Sequence, residues 1–277
     1  MDVTSTTEML PARDGTRLLV RRWEATGAPW ASALVVHGLG EHSGRWDAVA
    51  RQMAAAGIAV ASFDHRGHGR SDGKRAHTAR WEHILDDTED RLAASRIAGL
   101  PAILYGHSMG GLVCADYLLS TRPTPALGVL SAPALGDDLG PALRMLVPVV
   151  GRIAGGLELK NPFTPDQLSR DPKVGERYAA DPLTLPRTTA RLGGAIIAAA
   201  RRVNAKVAGG ARFPCPVLVI HGEDDTIVPT ASTAKLASVV GAERRTFPLV
   251  RHEPHNDPGG QAIVDATIGW LRERAGT

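Results

Sequence analysis

Gly106-His107-Ser108-Met109-Gly110 reads G-x-S-x-G, a pattern in which a serine hydroxyl serves as a nucleophile. The bare pattern is weakly specific, and its surroundings strengthen it. An apolar run over Ala102 to Tyr105 precedes it, and a helical pattern from Met109 to Ser120 follows. A strand that turns this sharply into a helix lifts a serine hydroxyl out of the sheet. Glycines belong on either side because any side chain there would collide with the neighbours of the turn. The new helix also directs its amino end at Ser108 and favours negative charge nearby. The competing reading of Ser108 is a plain helix N-cap.

A serine nucleophile needs a base, and the base needs an orienting acid. In a strand-turn-helix setting of this kind the order along the chain is serine, acid, histidine. The run Val217 to Ile220 is followed by His221-Gly222-Glu223-Asp224-Asp225, which places acids at the carboxyl end of a strand. The G-x-x-D spacing selects Asp225, with Asp224 as runner-up, Glu223 as a competitor and Asp137 or Asp138 as remote alternatives. His252 and His255 both follow the expected strand Arg245 to Leu249; His252 comes first after it and is the expected base. An oxyanion needs two backbone N–H donors. Met109, just after the nucleophile, supplies one, and Leu39 in His37-Gly38-Leu39-Gly40 is expected to supply the other.

Two other chemistries fit the residues less well. The same glycine stretch begins like a dinucleotide loop, but Ser43 stands where the third glycine of G-x-G-x-x-G belongs. His65/His68 and His252/His255 are H-x-x-H pairs. The first lies in the glycine-rich Asp64-His65-Arg66-Gly67-His68-Gly69-Arg70-Ser71, which suits a hydrogen-bonded turn rather than a metal-binding helix. No metal and no cofactor are expected.

The elements that must carry these residues alternate as in an α/β fold with a mostly parallel central sheet flanked by helices. Strands are expected at Thr16 to Trp23, Ser32 to Val36, Ile58 to Phe63, Ala102 to Tyr105, Leu127 to Leu130, Val217 to Ile220 and Arg245 to Leu249. Helices are expected at Arg45 to Ala56, Thr78 to Ala98, Met109 to Ser120, Ser232 to Val240 and Ala262 to Ala275. The alternation breaks between Ala134 and Ala211, so residues 1–133 and 212–277 form the expected core and 134–211 a helical cap or lid insertion. Within it Leu139, Leu143, Leu146, Val150 and Ile153 fall on one helical face, and Leu192, Ile196, Ala200 and Val203 on another. Met145, Val147 and Val149 make the first segment apolar on more than one side. Two readings stand: ordinary packing of a helical subdomain, or a lid whose apolar face admits lipid or touches a membrane surface.

Composition narrows the function classes. With 43% hydrophobic and 22% charged residues the chain is not of the disordered type. Its net charge of +3 is small and interspersed, without the basic stripe of a nucleic-acid binder, so no nucleic-acid partner is expected. Cys114 and Cys215 suit two buried thiols in a reducing compartment better than a bridge. The opening MDVTSTTEML lacks the basic start and apolar core of a signal peptide, and no run of roughly 18 apolar residues is present. The expectation is a cytoplasmic protein, peripheral to the membrane only if the cap docks there; oligomeric state is left open.

Taken together, His37-Gly-Leu-Gly-Glu41-His-Ser-Gly-Arg45, Asp64-His-Arg-Gly-His-Gly-Arg-Ser71, Gly106-His-Ser-Met-Gly-Gly111 and Gly222-Glu-Asp-Asp225 resemble the α/β-hydrolase superfamily. Within it they are similar to the monoacylglycerol lipase and lysophospholipase group, including its bacterial members, from about Gly15 to Trp270. The resemblance implies an α/β-hydrolase fold, a triad of Ser108, Asp225 and His252, and oxyanion donors at Leu39 and Met109. It also implies a polar pocket for the glycerol end of a lipid ester, built from Glu41, Arg45 and His255, with Tyr178 of the cap before Asp181-Pro182-Leu183. Glu41 and Arg45 offer an acceptor and a fork of donors to hydroxyls; alternatively they pair and brace their loop. The implied substrate is a small lipid ester, foremost monoacylglycerol. Lysophospholipase, short- or medium-chain carboxylesterase and amidase activities are the rivals, and a non-catalytic ligand-binding protein is the alternative from another class. Ser108 argues against epoxide hydrolase and haloalkane dehalogenase chemistry, which calls for a carboxylate at that position.

Overall fold

The computed structural model describes residues 4–136 and 149–276. The amino-terminal half contains strands β1 (Ser5–Pro11), β2 (Arg17–Trp23) and β3 (Ala31–Val36), helix α1 (Asp47–Ala55), strand β4 (Ile58–Phe63), helix α2 (Trp81–Ser95), strand β5 (Ala102–His107), helix α3 (Met109–Leu118) and strand β6 (Leu127–Ser131). Strand β7 (Glu158–Lys160), helix α4 (Pro172–Ala180), strand β8 (Arg187–Thr189) and helix α5 (Ala190–Ala208) lie in the insertion that follows. Strands β9 (Val217–Gly222) and β10 (Ala242–Phe247) and helix α6 (Gly260–Ala275) complete the chain.

Eight strands pair in the order β1-β2-β4-β3-β5-β6-β9-β10. All neighbours from β4 to β10 are parallel, and β2 is antiparallel to both β1 and β4. Strands buried on both faces must be apolar nearly throughout, and β3, β5, β6 and β9 are buried at every position. Their side chains divide with a period of two. Leu34, Val36, Leu104, Val217 and Val219 face α2, α3 and α5. Ala33, Val35, Ile103, Leu218 and Ile220 face α1 and α6. The strand order reverses at β3, which feeds β4 on one side while β5 adds on the other. A crevice therefore opens beyond the carboxyl ends of β3 and β5, where open α/β sheets place their ligands.

Several expected boundaries move for local reasons. Strand β1 was not anticipated: Ser-Thr-Thr-Glu-Met-Leu-Pro carries no apolar run and gains its place by pairing along β2 at the sheet edge. The stretch expected as a strand at Arg245 to Leu249 is shifted back to Ala242–Phe247, and Leu249 adopts φ +61° in the loop beyond it. The segment around Ser232 to Val240 is a 3-10 helix, Thr230–Ser238. Arg45 to Ala56 divides into a 3-10 turn, Ser43–Trp46, and α1. In the insertion, α5 follows the Leu192, Ile196, Ala200, Val203 face, and Leu192, Ala200 and Val203 bury against α2 and α3. Arg202 of α5 also pairs with buried Asp116 of α3, which accepts the Trp81 indole N–H at 2.9 Å. The insertion is not purely helical, because β7 and β8 form an antiparallel ribbon. Most of the apolar face from Leu139 to Ile153 lies outside the described residues, as do Asp137 and Asp138; residues 149–153 are helical.

The turn from β5 into α3 leaves no room for side chains beside the serine. A Cβ on Gly106 would stand 2.2 Å from the Gly110 carbonyl oxygen and 2.5 Å from Cys114 Sγ. One on Gly110 would stand 2.1 Å from the Val36 oxygen. Gly110→Ala must therefore push α3 away from β3, at a cost of about 1–3 kcal/mol for such overpacking. The expected result is a lower midpoint in urea unfolding; an unchanged midpoint would show that this approach does not constrain the turn.

Candidate active site

Ser108 occupies the turn at φ +53°, ψ −118°, a conformation that L residues rarely adopt. Its N–H donates to Ser131 O at 2.9 Å, and its carbonyl accepts from Leu112 and Ala134. The side chain makes no capping bond to α3, which removes the N-cap reading. Instead the hydroxyl lies 2.9 Å from His252 Nε2. The other nitrogen, Nδ1, is 2.8 Å from Asp225 Oδ2. An acceptor on one side and a hydroxyl on the other assign the proton to Nδ1, so that Ser108 Oγ–H donates to Nε2.

Asp225 and His252 reach Ser108 because their loops interlock at the end of β9. Glu223 N–H donates to Phe247 O and Asp224 N–H to Val250 O, both at 2.9 Å. Asp225 is fully occupied. Its Oδ1 accepts the Ile227 and Val228 N–H groups at 2.9 Å, and its Oδ2 accepts from both His252 and His221 Nε2, the latter at 3.0 Å. Burial alone would push this carboxyl up. The charge of His252 and the hydrogen bonds from His221, His252 and Val228 outweigh it and hold Asp225 well below the usual carboxylate range. Burial likewise disfavours the charged form of His252, yet the Asp225 charge and hydrogen bond win and raise its pKa. The other acids of the loop, Glu223 and Asp224, are exposed. His221 was not singled out from the sequence; its only signal was its position at the end of β9, four residues before Asp225.

Leu39 lies between two pinned glycines. The Gly38 N–H donates to Glu41 Oε1 at 2.5 Å. The Gly40 carbonyl accepts from Leu185 N–H at 2.9 Å and from the Tyr178 hydroxyl at 3.2 Å. His42 donates through Nε2 to Asp181 at 2.9 Å, a further tie between this loop and the insertion. Among the described residues neither the Leu39 nor the Met109 N–H has an acceptor, and both residues line the same cavity as Ser108.

That cavity has a volume of about 330 Å³ and receives Ser108 and His252. Phe163, Leu168, Ile196, Ile197 and Val228 give it apolar walls, drawn from both the insertion and the core. Glu41, Arg45, Tyr178 and Glu253 form a polar cluster in the same lining. Arg45 donates from Nη1 and Nη2 to the two oxygens of Glu253, at 2.7 and 3.0 Å, and from Nη1 to Glu41 Oε2 at 3.2 Å. Its guanidinium lies 4.9 Å from the centre of the Tyr178 ring. The pairing of Glu41 with Arg45 and its bond to Gly38 mean that these residues brace the loop as well as face the cavity. Glu253 was missed in the sequence, where an acid directly after a histidine carries no pattern of its own. His255 is placed differently from the expectation. It is absent from the cavity lining and stacks on Trp46, with ring centres 4.3 Å apart; burial pushes its pKa down to about 4.

The other histidine pair is structural. His65 N–H donates to His37 Nε2 at 2.9 Å, and His65 Nε2 donates to His37 O at 3.1 Å. Asp64 accepts the Ser43 and Arg70 N–H groups at 2.8 Å. Among the described residues no group of His, Cys, Asp and Glu is arranged to hold a metal ion. Cys114 and Cys215 are free and buried. No helix of the described residues is long and apolar enough to cross a membrane.

Comparison with known proteins identifies relatives of the whole chain. Residues 27–259 match the family model described as serine aminopeptidase, S33. The monoacylglycerol lipase of Mycolicibacterium smegmatis is 34% identical over 93% of each chain. Human monoglyceride lipase is 28% identical over 87% of this chain and 80% of its own. The crystal structure of Paleococcus ferrophilus monoacylglycerol lipase superposes with a TM-score of 0.80, at 30% identity, covering 99% of this chain and all of that one (100%). With its mostly parallel sheet, the serine on the turn after β5 and a family match over most of its length, the chain belongs to the serine aminopeptidase S33 family of α/β-hydrolases.

Proposed function

We propose that this protein is a serine hydrolase that cleaves monoacylglycerol to a fatty acid and glycerol. The observation that carries the reading is the line from Ser108 through His252 to Asp225, opening into a cavity that joins apolar walls to a cluster of hydroxyl-binding groups. The names of the similar proteins support the lipid ester as substrate.

In this reading His252 Nε2 takes the Ser108 proton as Oγ attacks the ester carbonyl. The Leu39 and Met109 N–H groups receive the developing oxyanion, each worth about 3–4 kcal/mol of barrier in such sites. His252 then protonates the departing glycerol oxygen. Water, deprotonated by the same nitrogen, releases the fatty acid from Ser108. Asp225 fixes the tautomer and stabilises the imidazolium. Glu41, Arg45 and Tyr178 surround the glycerol, and the apolar walls surround the acyl chain.

The segment 134–211 acts as the lid over this cavity. Val149, Ile153 and Leu157 expose 48%, 84% and 49% of their surfaces there, an apolar face suited to transient contact with a lipid surface. Ile153→Glu should reduce co-sedimentation with phosphatidylcholine vesicles while leaving hydrolysis of a soluble ester intact; unchanged sedimentation would remove the membrane contact.

The central test is fatty-acid release from a medium-chain monoacylglycerol and from the matching lysophosphatidylcholine. Ser108→Ala should abolish both, a loss of about a million-fold for removal of such a nucleophile. A clear preference for the monoacylglycerol is expected; equal or reversed rates would make the protein a broader ester hydrolase. Because the base must start neutral and its pKa is raised, kcat/KM should fall as pH drops through a midpoint above 6.5. His221→Leu removes a donor from Asp225, makes that carboxylate more basic and should move the acid limb upward by about half a pH unit. His221→Gln, which keeps a donor, should move it less. Coincident limbs in all three proteins would show that His221 does not tune the base.

A further inference from the structure

Glu253 stands directly after the proposed base, buried to 2% exposure, and it holds Arg45 by both oxygens. Its Oε2 also accepts the Asn256 amide at 2.7 Å, which fixes the carboxylate from behind. Among the described residues Arg45 is the one guanidinium in the cavity lining, and three of its five N–H donors are already used: two on Glu253 and one on Glu41. Its face is taken by Tyr178. The described lining thus sets one guanidinium against two carboxylates. Burial, together with the Glu253 charge, raises the Glu41 pKa against the pull of Arg45, while Glu253 is held well below the usual carboxylate range.

A free arginine in an ester-binding cavity would attract phosphate, because its fork matches a phosphate edge. Here the fork is closed by Glu253. A glycerol hydroxyl meets no obstacle: it can donate to a carboxylate lone pair and accept from a remaining Arg45 N–H. A phosphate dianion can only accept, and its charge would face two carboxylates across a guanidinium already committed. We propose that Glu253 is a specificity-determining residue that closes Arg45 to anions, so that the site takes an ester of a neutral polyol and rejects its phosphorylated counterpart. This rests on the lipid-ester reading above and narrows it to uncharged head groups. The selection works by a repulsive element, which discriminates as effectively as an added contact.

The test compares the parent with Glu253→Gln and Glu253→Asp. The first readout is the ratio of kcat/KM for lysophosphatidic acid to that for monoacylglycerol at one pH, in which any change in His252 basicity cancels. Glu253→Gln should raise this ratio about tenfold, the scale set by a like-charge contact removed from a binding site. Glu253→Asp keeps the charge and should stay near the parent. The second readout is inhibition of 4-nitrophenyl butyrate hydrolysis by glycerol 3-phosphate relative to glycerol. Glycerol 3-phosphate should inhibit the parent no better than glycerol does, and should gain about tenfold in Glu253→Gln. An unchanged ratio in Glu253→Gln, an equal rise in Glu253→Asp, or strong inhibition of the parent by glycerol 3-phosphate would each overturn the proposal. If Glu253→Gln fails to fold, the parent's inhibition pattern and Glu253→Asp still decide it. If the parent cleaves 4-nitrophenyl butyrate but no glyceride, the monoacylglycerol reading fails, and the inhibition readout continues to report on charge selection separately.

Discussion

Ser108 is held where an L residue resists being, at φ +53° and ψ −118°, and the rest of the site is arranged around that constraint. A residue in such a region costs about 1–3 kcal/mol and persists only where its surroundings over-determine it. Here the surroundings do. The Ser108 backbone is bonded to β6 through Ser131 and onward to Ala134, and α3 is pressed against the end of β3 so closely that Gly110 has no space for a methyl group. Met109, the first residue of α3, lines the same cavity as Leu39 in the loop after β3. The proposed nucleophile and both proposed oxyanion donors are consequences of one tight crossing between α3 and β3. The strand reversal at β3 makes that crossing the natural floor of a cleft.

Much of this was legible in the sequence because it is local. Ser108 and its glycines are neighbours in the chain. The buried parallel strands are apolar runs, and Leu192, Ala200 and Val203 mark the buried face of α5 by spacing alone. Asp225 and His252 could be chosen because each follows a strand on the same rim. What the sequence did not reveal is non-local. Strand β1 exists only through its partner β2. His221 meets Asp225 through the fold of a turn, and its role beside the acid has no pattern at the level of letters. Glu253 and Arg45 are more than 200 positions apart, and only the assembled loops bring them together. His255 shows the converse. Its offset of three from His252 suggested a place in the pocket, but the loop bends so that Trp46 receives its ring.

The loop after β3 joins the two halves of the molecule. Glu41 holds it from within, Tyr178 and Leu185 hold it from the insertion, and Asp181 holds His42 beside it. Geometry at Leu39 is therefore coupled to the seating of the insertion. A movement of α4 would be felt at the backbone of Leu39, which lines the cavity. Polar groups of this kind are worth most when every partner is present.

A bare outer strand exposes a row of backbone donors and acceptors that another chain can extend. At one rim β1 has Glu8 near its middle and ends on Pro11, which has no N–H to offer. At the other, β10 reads Ala-Glu-Arg-Arg-Thr-Phe, with Arg244 bonded to Thr230 and Thr233 and Arg245 bonded to Glu243. Charge at both borders discourages edge-to-edge stacking between copies. An apolar, eight-stranded sheet thus carries its own deterrent to extension at both borders.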